Sequence, residues 1–330
     1  MLLAFCALVA RASGLAASPQ RRLSTNVAGP LYVDESCIDC DTCRWMVPSV
    51  FDRRGAQSAG GAQPGDSATW LEAQKAAVAC PTGSIRSEEA SKEARRARDA
   101  FPQKVEGLSN VYHAGFHSPK SFGATPYVVH VGDDVLMVDS PRYSTALAKA
   151  IEQRFGAPTY MLLTHVDDVG DHIKWKERFP TMQRVIHHAE VRGPDEWPYI
   201  DTRDVEVRLG GGEKDDKDDD KKWHLGDHVV AYHVPGHSKG HLAFLVEEEQ
   251  ALFTGDHLSF SPKLDRIDGM ARYGWNLPLQ ADSIAKLADL NFLHVLPGHG
   301  RRISFDDLQQ KRDQILHAAD AFKSDPYGTH

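Results

Sequence analysis

Short apolar runs broken by glycine and charged turns alternate along most of the chain with helical spacing of apolar residues, a pattern that predicts a mixed α+β protein. Tyr127–Val131, a Gly132-Asp133-Asp134 turn and Val135–Val138 predict a β-hairpin, and Val229–His233 with Leu242–Val246 a second one leading to a strand at Ala251–Phe253. Leu147, Ile151 and Phe155 recur at i, i+4 and i+8, so a helix is expected over Ser144–Phe155, with Ser144 as its cap and Gly156 as its stop. Another is expected over Leu71–Ala79. A last helix is expected from about Ser304 to Phe322, with Leu308, Ile315, Ala319 and Phe322 on one face. Between these blocks, Ser58–Asp66 reads as a flexible polar loop, Ser87–Lys104 as a charged connector, and Glu213–Lys222 as a solvated charged insertion. No repeat is evident, and no apolar run reaches the roughly 20 residues of a membrane span.

The 330 residues carry 38 Lys+Arg against 46 Asp+Glu, a net charge of −8 that argues against a general nucleic-acid binder. The acids are unevenly placed. None precedes Asp34, while Arg11, Arg21 and Arg22 sit among Ser and Ala, so residues 1–30 read as an organelle-targeting leader that takes Cys6 with it. The apolar stretch Leu2–Ala10, followed by small residues, also resembles a signal-peptide core, which makes a plastid the expected destination and a mitochondrion the alternative. The remaining boundaries are a module at 31–90, a linker at 91–108 and a larger domain at 109–325.

Cys37-Ile-Asp-Cys40-Asp-Thr-Cys43 spaces three cysteines by two residues, and Cys80-Pro81 supplies a fourth from a separate element. Four thiolates, one per iron, suit a [4Fe–4S] cube, whereas zinc modules more often pair two separate knuckles. These residues resemble single-cluster bacterial-type ferredoxins over about Leu31–Ile85. The resemblance implies a βαββαβ-like miniature domain, and the remaining cysteines allow one cluster only. The surrounding acids Asp34, Glu35, Asp39 and Asp41 are expected to form a solvated face.

In the larger domain, His and Asp residues recur at the ends of apolar strands: Leu163-Thr164-His165-Val-Asp167-Asp168-Val-Gly-Asp171-His172, Val234-Pro-Gly-His237, Leu252-Phe-Thr-Gly-Asp256 and Leu296-Pro-Gly-His299. Imidazoles and carboxylates converging on one rim are what adjacent divalent ions require. The order is similar to the metallo-β-lactamase fold superfamily over about Asn110–Phe322. That resemblance implies an αββα sandwich with a binuclear site at one edge, fitting zinc or iron, with manganese also open. It assigns His165, Asp167, Asp171, His172, His237, Asp256 and His299 as metal ligands, Asp256 and Asp171 as the catalytic carboxylates, and Asp139 as a support. The central motif departs from H-x-H-x-D-H. Asp167 replaces the second histidine, and two extra residues precede Asp171-His172. If the extra residues bulge outward the register is restored with Asp168 outside the site; otherwise one metal site or none remains. The Ser-Pro-Arg-Tyr sequence at 140–143 and the fused modules look similar to a plant and algal family of ferredoxin-linked metallo-β-lactamase-like proteins.

His113, His117, His187, His188 and His233 are expected to be satisfied polar groups, while His241 and His257 are expected to orient the neighbouring ligands. Three functions follow from these readings: a metal-dependent hydrolase of an ester, thioester or related small molecule; an iron-dependent redox enzyme fed by the cluster and an electron-transfer partner; and a metal-poor scaffold.

Overall fold

The computed structural model describes residues 21–89, 92–211 and 222–328. Cys6 and most of the expected leader, as well as the charged run up to residue 221, lie outside them. The N-terminal module runs β1 (Leu31–Val33), α1 (Thr42–Met46), β2 (Phe51–Arg54), β3 (Gln57–Gly60), α2 (Ser67–Ala79) and β4 (Ile85–Ser87), with β1 antiparallel to β4 and β2 to β3. This is the expected βαββαβ order. Ser58–Gly60, expected in a loop, instead forms a strand, because Ser58 and Ala59 turn inward and pair with Arg53 and Asp52. Asp66 caps α2 by accepting from Thr69 N–H. The ordered module also takes in residues upstream of Leu31: the Asn26 side chain bonds Leu23 O, both backbone groups of Val33 and Gly60 N–H at 2.7–2.9 Å.

The connector holds α3 (Glu93–Asp99), and the strand β5 (Gln103–Lys104) already belongs to the larger domain, where it pairs with β6 (Val111–His113). From there the chain forms β7 (Tyr127–Val131), β8 (Asp134–Val138), α4 (Thr145–Phe155), β9 (Tyr160–Leu162), α5 (His172–Arg178), β10 (Gln183–His187) and β11 (Val207–Leu209). It continues through β12 (Lys222–Leu225), β13 (Val229–His233), β14 (Leu242–Val246), β15 (Ala251–Gly255), β16 (Leu258–Ser261), β17 (Arg266–Gly269), α6 (Leu277–Leu287), β18 (His294–Pro297), β19 (Ile303–Ser304) and α7 (Leu308–Ser324). The last helix therefore starts at Leu308: Ser304 is drawn into β19 beside β18, and Asp307 caps the helix through Gln310 N–H.

Two sheets dominate, β11-β10-β9-β8-β7-β6-β5 and β12-β13-β14-β15-β18-β19. Strand periodicity builds their layers. On β8, Leu136 and Val138 enter the core between the sheets, whereas Val135 and Met137 join Leu147 and Ile151 of α4 and Trp175 of α5 on the outer face. On β14, Phe244 and Val246 face the first sheet, and Ala243 and Leu245 meet α6 and α7. The result is an αββα sandwich. No helix of the described residues is long and apolar enough to cross a membrane.

The small module is seated on the sandwich by apolar packing of Met46, Val78 and Ala79 and by polar contacts. Arg301 bonds Asp41 at 2.9 Å, Arg142 reaches the carbonyls of Val78 and Pro81, and Thr42 Oγ1 lies 3.2 Å from His117 Nδ1.

Candidate metal centres

In the small module, Cys43 and Cys80 lie in a core with Leu31, Val33, Val50 and Phe51. Burial pushes the Cys40 thiol up to about 11 and Cys43 to about 12, and Cys37 and Cys80 bear electrostatically on Cys40. Four converging thiols in so dry a setting fit a metal cluster, which would hold them as thiolates. Hydroxyls meet the sulfurs, with Thr42 Oγ1 3.4 Å from Cys40 Sγ. Glu35 is exposed as expected of a solvated face, but arginines neutralise the other three acids. Asp34 is fully buried and bonds Arg86 at 2.5 Å; Asp39 takes Arg44 and Arg53; Asp41 takes Arg44 and Arg301.

At one edge of the sandwich, loops leaving strand ends bring together the residues that the sequence places there: Asp139 after β8, His165 after β9, His237 after β13, Asp256 after β15 and His299 after β18. Asp139 adopts a left-handed φ of 56°, which turns its carboxylate to accept from Thr164 N–H at 2.9 Å and Thr164 Oγ1 at 3.0 Å. That support fixes the start of the His165 loop. Glu190, fully buried, accepts from Val166 N–H and Gly240 N–H and so ties two of the loops together.

His165 Nε2 faces Asp167 Oδ2 at 4.0 Å and Asp256 Oδ2 at 3.9 Å, and His237 Nε2 lies 3.7 Å from the same Asp256 oxygen. His237 Nδ1 meets the Met270 carbonyl at 3.3 Å, a contact that orients Nε2 toward the centre. On the other side, His299 Nδ1 lies 2.7 Å from Asp256 Oδ1, and its Nε2 lies 3.3 Å from the Phe122 carbonyl.

The altered motif resolves differently from the outward-bulge reading. Val166–Asp168 forms a single 3-10 turn, with Ser140 N–H donating to the Asp168 carbonyl at 3.1 Å, and the turn aims the Asp168 side chain inward. Asp168 Oδ2 comes within 3.9 Å of His165 Nδ1. Gly298 closes over it: a Cβ there would stand 2.8 Å from Asp168 Oδ2 and 3.2 Å from Asp256 Oδ1. Asp168, expected outside the site, is inside it.

Asp171 and His172, expected as ligands, are turned away and held elsewhere. Asp171 accepts from Lys120 Nζ at 2.8 Å and Tyr143 N–H at 3.0 Å. Arg184 donates to His172 Nδ1 at 3.0 Å, and His172 Nε2 meets the Asp201 carbonyl at 3.0 Å, so both ring nitrogens are committed. The two extra residues carry this pair past the rim into α5.

The electrostatics fit cations. Among the described residues, both Asp168 carboxylate oxygens and His165 Nε2 are buried without a hydrogen-bond partner. Burial, reinforced by Asp256, Asp139 and Asp167, pushes the Asp168 carboxyl well above its usual value. Burial likewise raises Asp139 to about 7 and lowers His165 to about 4. Asp256 is the exception: burial would raise it, but His299 first, then His165 and His237, hold it well below its usual value. Two sets have ligand atoms all within 4.8 Å of one another, His165/Asp167/His237 and His165/Asp168/Asp256, and Asp256 touches both. His241 stacks on His165 at 4.7 Å and accepts from Asp256 N–H at 3.2 Å. His113 and His117 bond each other at 2.7 Å, and His117 Nδ1 meets the Gly123 carbonyl at 2.8 Å.

An αββα sandwich with a carboxylate- and histidine-lined edge, joined to a four-cysteine βαββαβ module, gives the chain two candidate metal centres. The family model of the metallo-beta-lactamase superfamily matches residues 122–299, and that of the 4Fe-4S single cluster domain of ferredoxin I matches residues 33–87. The chain belongs to the metallo-β-lactamase superfamily. It is 30% identical over 200 residues to the lactamase-like protein aptB of Emericella nidulans, covering 59% of this chain and 56% of that protein. It is also 30% identical over 140 residues to an atrochrysone carboxyl ACP thioesterase of Claviceps purpurea, covering 41% and 40%, and 28% identical over 181 residues to the probable metallo-hydrolase YybB of Bacillus subtilis, covering 53% and 80%. The chain thus spans little more than half of aptB and less of the thioesterase. Among solved structures, the B3 metallo-beta-lactamase BLEG-1 matches with a TM-score of 0.45 and 20% identity over 62% of this chain and 97% of that one.

Proposed function

We propose that the larger domain is a metal-dependent hydrolase of a carboxylic ester or thioester. His165, Asp167, His237 and Asp256 would hold one divalent ion, and Asp168, Asp256 and His299 a second. The carrying observation is the partnerless burial of Asp168 and His165 Nε2 beside Asp256, an arrangement that costs several kcal/mol without a cation. The thioesterase and metallo-hydrolase names of the relatives support the reaction class. Bound there, divalent ions supply Lewis acidity that polarises a carbonyl and acidifies water. The chain's part is to keep Asp256 ionised, to orient His165 through His241, and to leave Asp167 and His299 partly open to solvent as the approach for substrate. Three aspartates at the ions make a hard donor set, which favours iron or manganese over zinc, at least in the site with a single histidine. The test is metal analysis of anaerobically purified chain together with a panel of acyl thioesters and esters: two non-cluster ions and turnover abolished by chelation are expected, and a chain that binds no non-cluster ion overturns the reading.

A second reading, redox chemistry at the same centre, is favoured by one contact. The Phe122–Gly123 dipeptide touches both the Cys40 loop and His299. It requires iron at the centre, a one-electron donor protein and a reducible substrate. The acid-poor composition of residues 1–30 supports a proposed plastid location, which imaging of the full chain fused to a fluorescent protein would test.

A further inference from the structure

Among the described residues, six aromatic side chains are markedly exposed: Phe122, Trp197, Tyr199, Tyr273, Trp275 and Tyr327. Five of them lie on chain segments that adjoin the metal centre, and three of these residues contact its residues through backbone or side chain. The Phe122 carbonyl contacts His299, the Trp197 side chain acts on the Asp167 carboxylate, and the Trp275 backbone N–H donates to the His237 carbonyl at 2.8 Å. Their rings are ordered against one another. Phe122 and Trp197 stack at 5.9 Å with 20° between planes, and Tyr199 meets Trp197 edge-on at 5.9 Å. Beside His237, the Lys239 ammonium lies 5.5 Å from the Trp275 ring and the Arg272 guanidinium 5.0 Å from the Tyr273 ring.

Apolar surface concentrated this way is not explained by the core, which the rings do not enter, and contiguous exposed aromatics beside polar groups mark binding sites. Resting on the hydrolase reading, we infer that Phe122, Trp197 and Tyr199 form one wall and Tyr273 and Trp275 the other of a clamp for a flat aromatic or conjugated acyl group bearing a negative charge. The stacked Phe122–Trp197 pair offers planar π-faces, which suit a flat group better than a flexible alkyl chain. Lys239 and Arg272 supply positive charge at the mouth of a chain whose net charge of −8 would otherwise repel an anion. The carbonyl of such a group, held between the walls, points down to Asp167 and Asp256.

The experiment measures quenching of tryptophan fluorescence in the metal-loaded full chain by 2-naphthoate and by octanoate, which carry the same charge, and separately the turnover of their thioesters. The clamp requires naphthoate to bind about tenfold more tightly than octanoate, the scale of an aromatic contact. Tyr199→Ala and Trp275→Ala, at exposed positions, should each weaken naphthoate several-fold, raise KM for the naphthoyl thioester with little change in kcat, and leave octanoate unaffected. Equal binding of the two acids, or naphthoate binding indifferent to both substitutions, overturns the clamp. Naphthoate binding without turnover of any ester or thioester leaves the clamp and removes the hydrolase; turnover of alkyl thioesters without naphthoate preference does the reverse. If Trp275→Ala dissolves a dimer seen by sedimentation while naphthoate binding stays unchanged, the patch is a contact between copies and the clamp is wrong.

Discussion

Gly123 lies flat against the cluster loop at Cys40: at a φ of +89°, a Cβ would stand 2.8 Å from Cys40 Cβ and 3.3 Å from its Sγ. Since the preceding carbonyl, that of Phe122, contacts His299, two residues of backbone connect the four-cysteine site to the other metal centre. Gly123→Ala is therefore expected to disturb both sites, speeding cluster bleaching in air and lowering non-cluster metal content. Gly107→Ala is the control. Gly107 has a similar φ of +82° with nothing within 4 Å, so it carries the backbone strain of about 1 kcal/mol without the collision. Visible absorbance and metal analysis of both variants check this; equal behaviour of the two would show that strain alone is at work.

Asp168→Asn is expected to lower the non-cluster metal by about one ion per chain, because it removes the charge of a carboxylate that has no hydrogen-bond partner among the described residues. Asp171→Asn should keep both ions. Its cost falls on stability, about 1–3 kcal/mol, through the weakened contact with Lys120 in a mostly buried position. Metal stoichiometry beside urea unfolding separates the two, and loss of metal in Asp171→Asn would restore the register expected from the motif.

Most of the architecture was legible because it rests on local periodicity: the 127–138 hairpin, the helix capped by Ser144 and the pairing of Val229–His233 with Leu242–Val246 need only alternation and a turn. The cysteine set and the strand-end ligands His165, His237, Asp256 and His299 were legible too, since each sits in its own short motif. Asp168 was not, because a 3-10 turn and a helix continue differently from the same nine residues, and only the contacts of Asp171 and His172 with Lys120 and Arg184 decide between them. Nor were the arginines opposite the acids beside the cluster. Arg301 meets Asp41 across 260 residues of chain, and no local pattern encodes such a pairing. The aromatic clamp had one signal, the density of Trp and Tyr in two loops, but nothing in the sequence says that both loops flank one site.

His172 gives a pH dependence of stability. Burial first, and Arg184 second, lower it to about 4, and Arg184 donating to Nδ1 requires the neutral ring. In the unfolded chain the group takes up a proton near pH 6.5, whereas in the fold it stays neutral down to about 4, so its contribution is intact above 6.5 and is lost as pH falls through that window. The slope is about 1.4 kcal/mol per pH unit for each such group. His117 and His257, both lowered to about 3 by burial, add to it. The urea midpoint should thus fall steeply from pH 6.5 to 4.5, and His172→Gln, which keeps an acceptor and a donor but cannot titrate, should flatten the fall by about one proton. An unchanged slope in that variant would place the acid lability elsewhere.

Asp256 decides whether the centre is one site or two. Its Oδ2 faces His165 and His237 at 3.9 and 3.7 Å, while Oδ1 meets His299 at 2.7 Å, so the two oxygens of one side chain point at different ligand sets. A Cβ on Gly298 would stand within 3.2 Å of both Asp168 Oδ2 and Asp256 Oδ1, while Asp167 lies 4.0 Å from His165 Nε2. Asp256→Asn keeps the shape but removes the charge that both sets share. If two ions share it, the variant should lose both, below about half an ion per chain, whereas Asp168→Asn should retain one. The cluster, bound by other residues, should persist in each and serve as an internal check on folding through its visible absorbance. Equal retention of one ion by both variants would mean that Asp256 serves a single ion, and its sharing between the two sets would then have to be withdrawn.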